Sequence, residues 1–118
     1  MAGKGGIILE KYPVQRNLDG VYYREKRDGQ WTNVCFTDMT DKEQDAVLSK
    51  YDVRQLIRMA YLMADVIKNI DEQVQPTDKE WETVLSKWDV NPDTMTDTVY
   101  MLAGIVRTLG DVLDIKKE

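Results

Sequence analysis

Two sets of side chains have the types and spacing to do chemistry. The first is acidic and is written twice: Asp41, Glu43 and Asp45 recur as Asp78, Glu80 and Glu82. On a helix, Asp41 and Asp45 lie one turn apart on one face, as do Asp78 and Glu82. These four carboxylates are the candidate partner-binding residues, suited to a basic protein surface. Repeated acids could also hold a cation, but helix capping and a solvated face account for them more simply. The second set is basic and aromatic: Arg24, Lys26 and Arg27, interleaved with Tyr23 and Trp31. Such a set binds single-stranded nucleic acid by charge and stacking. The plainer reading is that the aromatics cover a core while the charges keep a strand edge in solution.

Other chemistries lack their residues. The chain has 0 histidines, which removes the commonest general base and the commonest metal ligand. A single cysteine, Cys35, cannot make a zinc site or an internal disulfide, and it reads as a small buried hydrophobe. The letters GKGG near the start are not a phosphate loop, because no strand precedes them and no Ser or Thr follows the lysine. No catalytic residue, metal or cofactor is therefore expected, and the chain reads as non-enzymatic.

The elements that must position these residues are organised around a repeat. Residues 40–53 read TDKEQDAVLSKYDV and residues 77–90 read TDKEWETVLSKWDV, identical at 10 of 14 positions. After a two-residue insertion, residues 60–70 align with residues 99–109. Each copy is a short helix followed by a long one. Thr40 with Glu43, and Thr77 with Glu80, are capping boxes, in which side chain and backbone satisfy each other's orphan groups. Asp52 is the expected cap of the first long helix, and Asn91-Pro92 the expected start of the second. Trp81, Val84, Leu85 and Trp88 follow helical spacing and predict a buried stripe with both tryptophans inside. Leu56, Ala60, Met63, Ile67 and Ile70 form the inner stripe of the first long helix. With Met59, Leu62 and Val66 its apolar arc is wide, which predicts a central helix. The last helix carries a seam of Met95, Val99, Leu102, Val106, Leu109 and Leu113. Ala103-Gly104 predicts a close helix approach. Ahead of the repeats, residues 21–23 and 31–36 are β-rich and flank Asp28-Gly29, a hairpin turn signal. Residues 7–12 offer a third short strand that Pro13 confines to an edge.

The expectation is one α+β domain over residues 1–118. A β-hairpin leader (1–36) packs on four helices from two repeats (37–74 and 75–118). Length fits a single core, and no apolar run approaches the ~20 residues of a membrane helix. The start has no secretory h-region and the lone cysteine suits a reducing compartment, so the expected location is the cytoplasm. Net charge is −5, yet residues 1–36 hold six Lys/Arg against four Asp/Glu, so the repeats carry the acidity. An acidic helical body suits a basic protein partner and repels nucleic acid. The last-helix seam offers a further route, self-assembly into a homodimer or scaffold.

The run YYREKRDGQWTNVCFTDMTDKE, residues 22–43, resembles a segment of small proteins from bacterial phages and mobile elements. The profile of a small, acidic, histidine-free single domain is similar to that of anti-CRISPR proteins. This is a likeness of profile without a diagnostic motif, so it carries over no functional residue. It implies stoichiometric inhibition of a host nuclease complex through protein contacts.

Overall fold

The computed structural model describes residues 12–88 and 91–115. Two antiparallel strands, β1 (Tyr22–Arg27) and β2 (Gln30–Cys35), lead into a 3-10 turn at Phe36–Asp38. Four helices follow: α1 (Asp41–Leu48), α2 (Val53–Val74), α3 (Asp78–Leu85) and α4 (Met95–Val112). The fold is α+β.

The hairpin closes through Asp28 and Gly29, whose φ angles of 51° and 80° are both positive. That geometry matches the strand twist, and glycine adopts it without strain. Tyr23 pairs with Val34, and Val34 and Phe36 are fully buried in the helical core, so the inner face of the hairpin anchors it. The sheet among the described residues has two strands. The proposed third strand lies mostly outside them, and Tyr12 is not in a strand.

The two short helices form as the repeat requires. Both capping boxes close, with Thr40 accepting from the Glu43 backbone and Thr77 from that of Glu80, each at 3.1 Å. Asp52 caps α2 in a third box with Gln55. The expected start at Asn91-Pro92 is corrected: α4 begins at Met95, and Thr94 caps it by accepting from the Asp97 backbone at 3.0 Å. Nine residues separate α3 from α4, against four between α1 and α2. The extra chain lets α3 fold back onto α4.

The central helix is α4 and not α2. Eight of the 18 residues of α4 are buried, over most of its circumference, and it packs against α2, α3 and the 3-10 turn. A helix covered over so wide an arc sits inside the fold. Val99, Val106 and Leu109 of its seam are fully buried, so that stripe is spent inside the molecule and is no assembly surface. In α2 the buried positions are Leu56, Met59, Met63, Val66 and Ile70. Of its other apolar residues, Val53, Ile57, Tyr61, Leu62 and Val74 stay exposed, because α4 covers only one side. No helix among the described residues is long and apolar enough to cross a membrane.

Buried polar groups are tied down. Arg27 is 6% exposed and donates to both oxygens of Glu43 and to the Asp38 carbonyl. Asp38 accepts from the backbone of Arg16 and Asn17. Arg16 pairs with Asp111 at 2.9 Å, fastening the lead-in to the end of α4.

Candidate functional site

A cleft of about 500 Å³ opens between α1 and α4. Trp88, just past α3, and Tyr100 on α4 line it together with Asp41 and Asp45 of α1. A smaller hollow of about 200 Å³ adjoins it, sharing Trp88 and Tyr100 and adding Asp93 and Asp97. The two aromatic side chains thus form a ridge with carboxylates on both sides.

The ridge is held rigidly. Trp88 lies against Gly104: a Cβ there would sit 2.2 Å from the indole. Only glycine leaves room for the ring at this distance. At Gly104 the neighbour that comes close is the Trp88 side chain, while Ala103 is buried in the core that includes Met59 and Met63 of α2. The indole N–H donates to the Thr108 hydroxyl at 3.1 Å, and that hydroxyl donates to the Gly104 carbonyl at 2.8 Å. Tyr100 donates to Asp45 across the cleft at 3.0 Å. Burial first, and then the Asp45 carboxylate, push the Tyr100 phenol up to about 12, so it remains a donor at neutral pH. At one end Arg107 donates to the carbonyls of Thr37 and Met39. Its guanidinium lies 3.8 Å from Asp41, whose side chain is 94% exposed. Burial lowers the Arg107 pKa from its ordinary value, but an arginine stays charged. Arg107 is committed to the backbone, while the Asp41 carboxylate faces solvent.

Such a site can hold a cation or a cationic side chain between aromatic rings and carboxylates. Among the described residues no group of three or more Cys, Asp or Glu could hold a metal ion. Cys35 is fully buried, and burial first, with Asp19 second, pushes its thiol up to about 11, which makes it inert.

The structure divides the residues singled out from sequence. Asp41 and Asp45 line the cleft. Asp78 and Glu82 are exposed on α3 and do not line it. On the hairpin, Arg24 and Lys26 lie 5.9 and 5.8 Å from the centre of the Trp31 ring, and Trp31 is 60% exposed. Arg27 and Tyr23 do not join them. Strand alternation turns both to the inner face, where Arg27 binds Glu43 and stacks on Tyr12 at 4.2 Å, and Tyr23 hydrogen-bonds Tyr51.

Sequence reasoning placed Trp88 in the core and passed over Tyr100, Asp93 and Asp97. In fact Trp81 and Trp88 are both half-buried. A signal was present in the departures from the repeat. Trp88 replaces Tyr51 and Gly104 replaces Asp65, a gain of ring at one position and a loss of side chain at the other. Those two changes fit each other in space. Comparison with family models, curated proteins and solved structures finds no match to the chain.

Proposed function

We propose that the protein is a non-enzymatic protein-binding module that seats a basic segment of a partner in the cleft at Trp88 and Tyr100. The observation that carries this reading is the ridge of two aromatics flanked by Asp41, Asp45, Asp93 and Asp97. An arginine or lysine entering there gains cation–π contact and charge-assisted hydrogen bonds together. Tryptophan and tyrosine are also the side chains that most often dominate binding energy at interfaces. The net charge of −5 favours approach of a basic surface. The partner class that fits best is a nucleic-acid enzyme with a basic groove. With the resemblance in profile to anti-CRISPR proteins, this makes the protein a stoichiometric inhibitor of a host nuclease complex, acting in the cytoplasm.

The test uses arginine-rich peptides and calorimetry at two salt concentrations. We expect one-to-one binding that weakens as salt rises and is lost in the double variant Asp45→Lys, Asp97→Lys. Binding that is indifferent to this variant removes the cleft from the reading. A second reading has its own observation, the exposed Trp31 between Arg24 and Lys26. Stacked between cations, it suits a base of single-stranded nucleic acid. Titration with a labelled oligothymidylate decides between them. Tight binding abolished by Trp31→Ala, with the cleft variant unaffected, favours the hairpin.

A further inference from the structure

The two compartments beside the Trp88 and Tyr100 ridge each hold a pair of acids, yet they differ in charge. In the larger cleft Asp41 and Asp45 stand with Lys42 and Arg107, so the formal charges cancel. In the smaller hollow Asp93 and Asp97 stand with Pro92 and Met101, and among the described residues no base lines it.

The polar groups also differ in how far they are committed. In the cleft, Tyr100 donates to Asp45 at 3.0 Å and Arg107 lies 3.8 Å from Asp41. Arg107 donates to the carbonyls of Thr37 and Met39 as well, and Gln44 to that of Phe36. A cation entering the cleft meets bases as well as acids and must share Asp45 with the phenol, so its net attraction is small. In the hollow, Asp93 and Asp97 are exposed, and neither enters an ion pair among the described residues. A cation there gains two carboxylates without a competing base, against the faces of aromatic rings.

The cleft offers room instead, about 500 Å³ against about 200 Å³ for the hollow, and the same two rings border it. A large uncharged side chain suits those terms. An aromatic ring gains contact with Trp88 or Tyr100 and leaves the existing charge pairs in place.

We infer that the partner's segment is bipartite: an arginine or lysine enters the hollow at Asp93 and Asp97, and an aromatic side chain close to it in sequence enters the cleft. Asp93 and Asp97 are then the acids that select the cation, while Asp41 and Asp45 serve the internal pairs of the cleft. This rests on the cleft reading and narrows it to one class of segment.

The test uses the full chain and short end-blocked peptides in which an arginine and a tyrosine are joined by glycine spacers of increasing length. Calorimetry is done at physiological ionic strength, where charges more than about 8 Å apart are largely screened. The best of these peptides should bind about tenfold tighter, or more, than versions with glycine in place of the arginine or of the tyrosine. The double variant Asp93→Asn, Asp97→Asn should weaken its binding by about tenfold or more. The double variant Asp41→Asn, Asp45→Asn should weaken it by less than about threefold. All four are near-isosteric changes at exposed positions, and circular dichroism checks that the fold is kept. Equal losses in the two variants, or a larger loss in the second, overturn the inference and leave the cleft reading standing. A peptide that binds as tightly without its tyrosine overturns it too. Absence of binding by every peptide, or binding indifferent to both variants, removes the cleft reading and the inference together.

Discussion

Helices α1 and α3 share sequence, length and caps, yet they bury different sides. The backbone is the same to fine detail: Ser49 and Ser86 end the helices at φ −65° and −64°, with matching turn hydrogen bonds. In α1 the buried residues are Gln44 and Leu48; in α3 it is Val84. The identical leucines make the point: Leu48 is 2% exposed and Leu85 is 41% exposed. Local sequence determined the helix and its ends, while the neighbours determined which way it faces. The first copy turns to the 3-10 turn and the hairpin, where Gln44 donates to the Phe36 carbonyl and Tyr51 meets Tyr23. The second has no hairpin to meet. It rolls onto α4 through Val84, Trp81 and Trp88.

This contrast can be broken most directly at the two leucines. Leu48→Ala should cost about 2–5 kcal/mol, as for a core leucine. Leu85→Ala should cost less, about 1–2 kcal/mol, because two-fifths of its surface already meets water. Urea denaturation of both variants measures the difference, and equal costs would mean that the copies bury the same side.

The next comparison is at Gly104 and its repeat counterpart Asp65. Gly104→Ala places a methyl into the Trp88 indole and should cost about 1–3 kcal/mol by overpacking. It should also red-shift the tryptophan emission as the ring leaves its seat. Asp65→Ala, on the exposed side of α2, should stay within about 0.5 kcal/mol of the parent. An unshifted spectrum in Gly104→Ala would show that the ring does not rest on that glycine.

The smallest effect sharpens the comparison of caps. Glu43 and Glu80 close equivalent boxes, but only Glu43 also receives Arg27. Burial alone would raise the Glu43 pKa, but the Arg27 hydrogen bond and the Thr40 backbone outweigh it and hold the carboxyl below its ordinary value. The folded state therefore favours the ionised form. Its stabilisation is present above the unfolded carboxyl pKa of about 4.3 and fades as pH falls through the folded value. Stability measured from pH 7 downward should show a weaker acid dependence in Glu43→Gln than in the parent. A slope unchanged from the parent would remove Arg27 as the cause.

What the sequence made legible follows from range. The caps of α1, α2 and α3 and the Asp28-Gly29 turn rest on neighbours within four residues and were readable, whereas the Thr94 cap of α4 was not. The rank of α2 and α4 was not, because both are apolar over a wide arc and only packing decides which is enclosed. Asp41 and Asp45 were readable as a helix face. Their meeting with Tyr100 and Trp88 was not, since it joins residues more than one element apart. The error at Arg27 has the same origin: a basic residue beside a turn looks exposed until strand alternation and Glu43 are both taken into account.

The enclosed position of α4 bears on the order in which the chain can fold. The hairpin, α1 and α2 all precede it in the sequence. Val99 and Ala103 are part of the same core as Val34, Phe36 and Met63. During synthesis that core stays open until α4 has left the ribosome, and the earlier segments present their apolar faces meanwhile. Native packing is then completed in one late step, when Arg107 reaches back to the carbonyls of Thr37 and Met39 and Arg16 closes on Asp111.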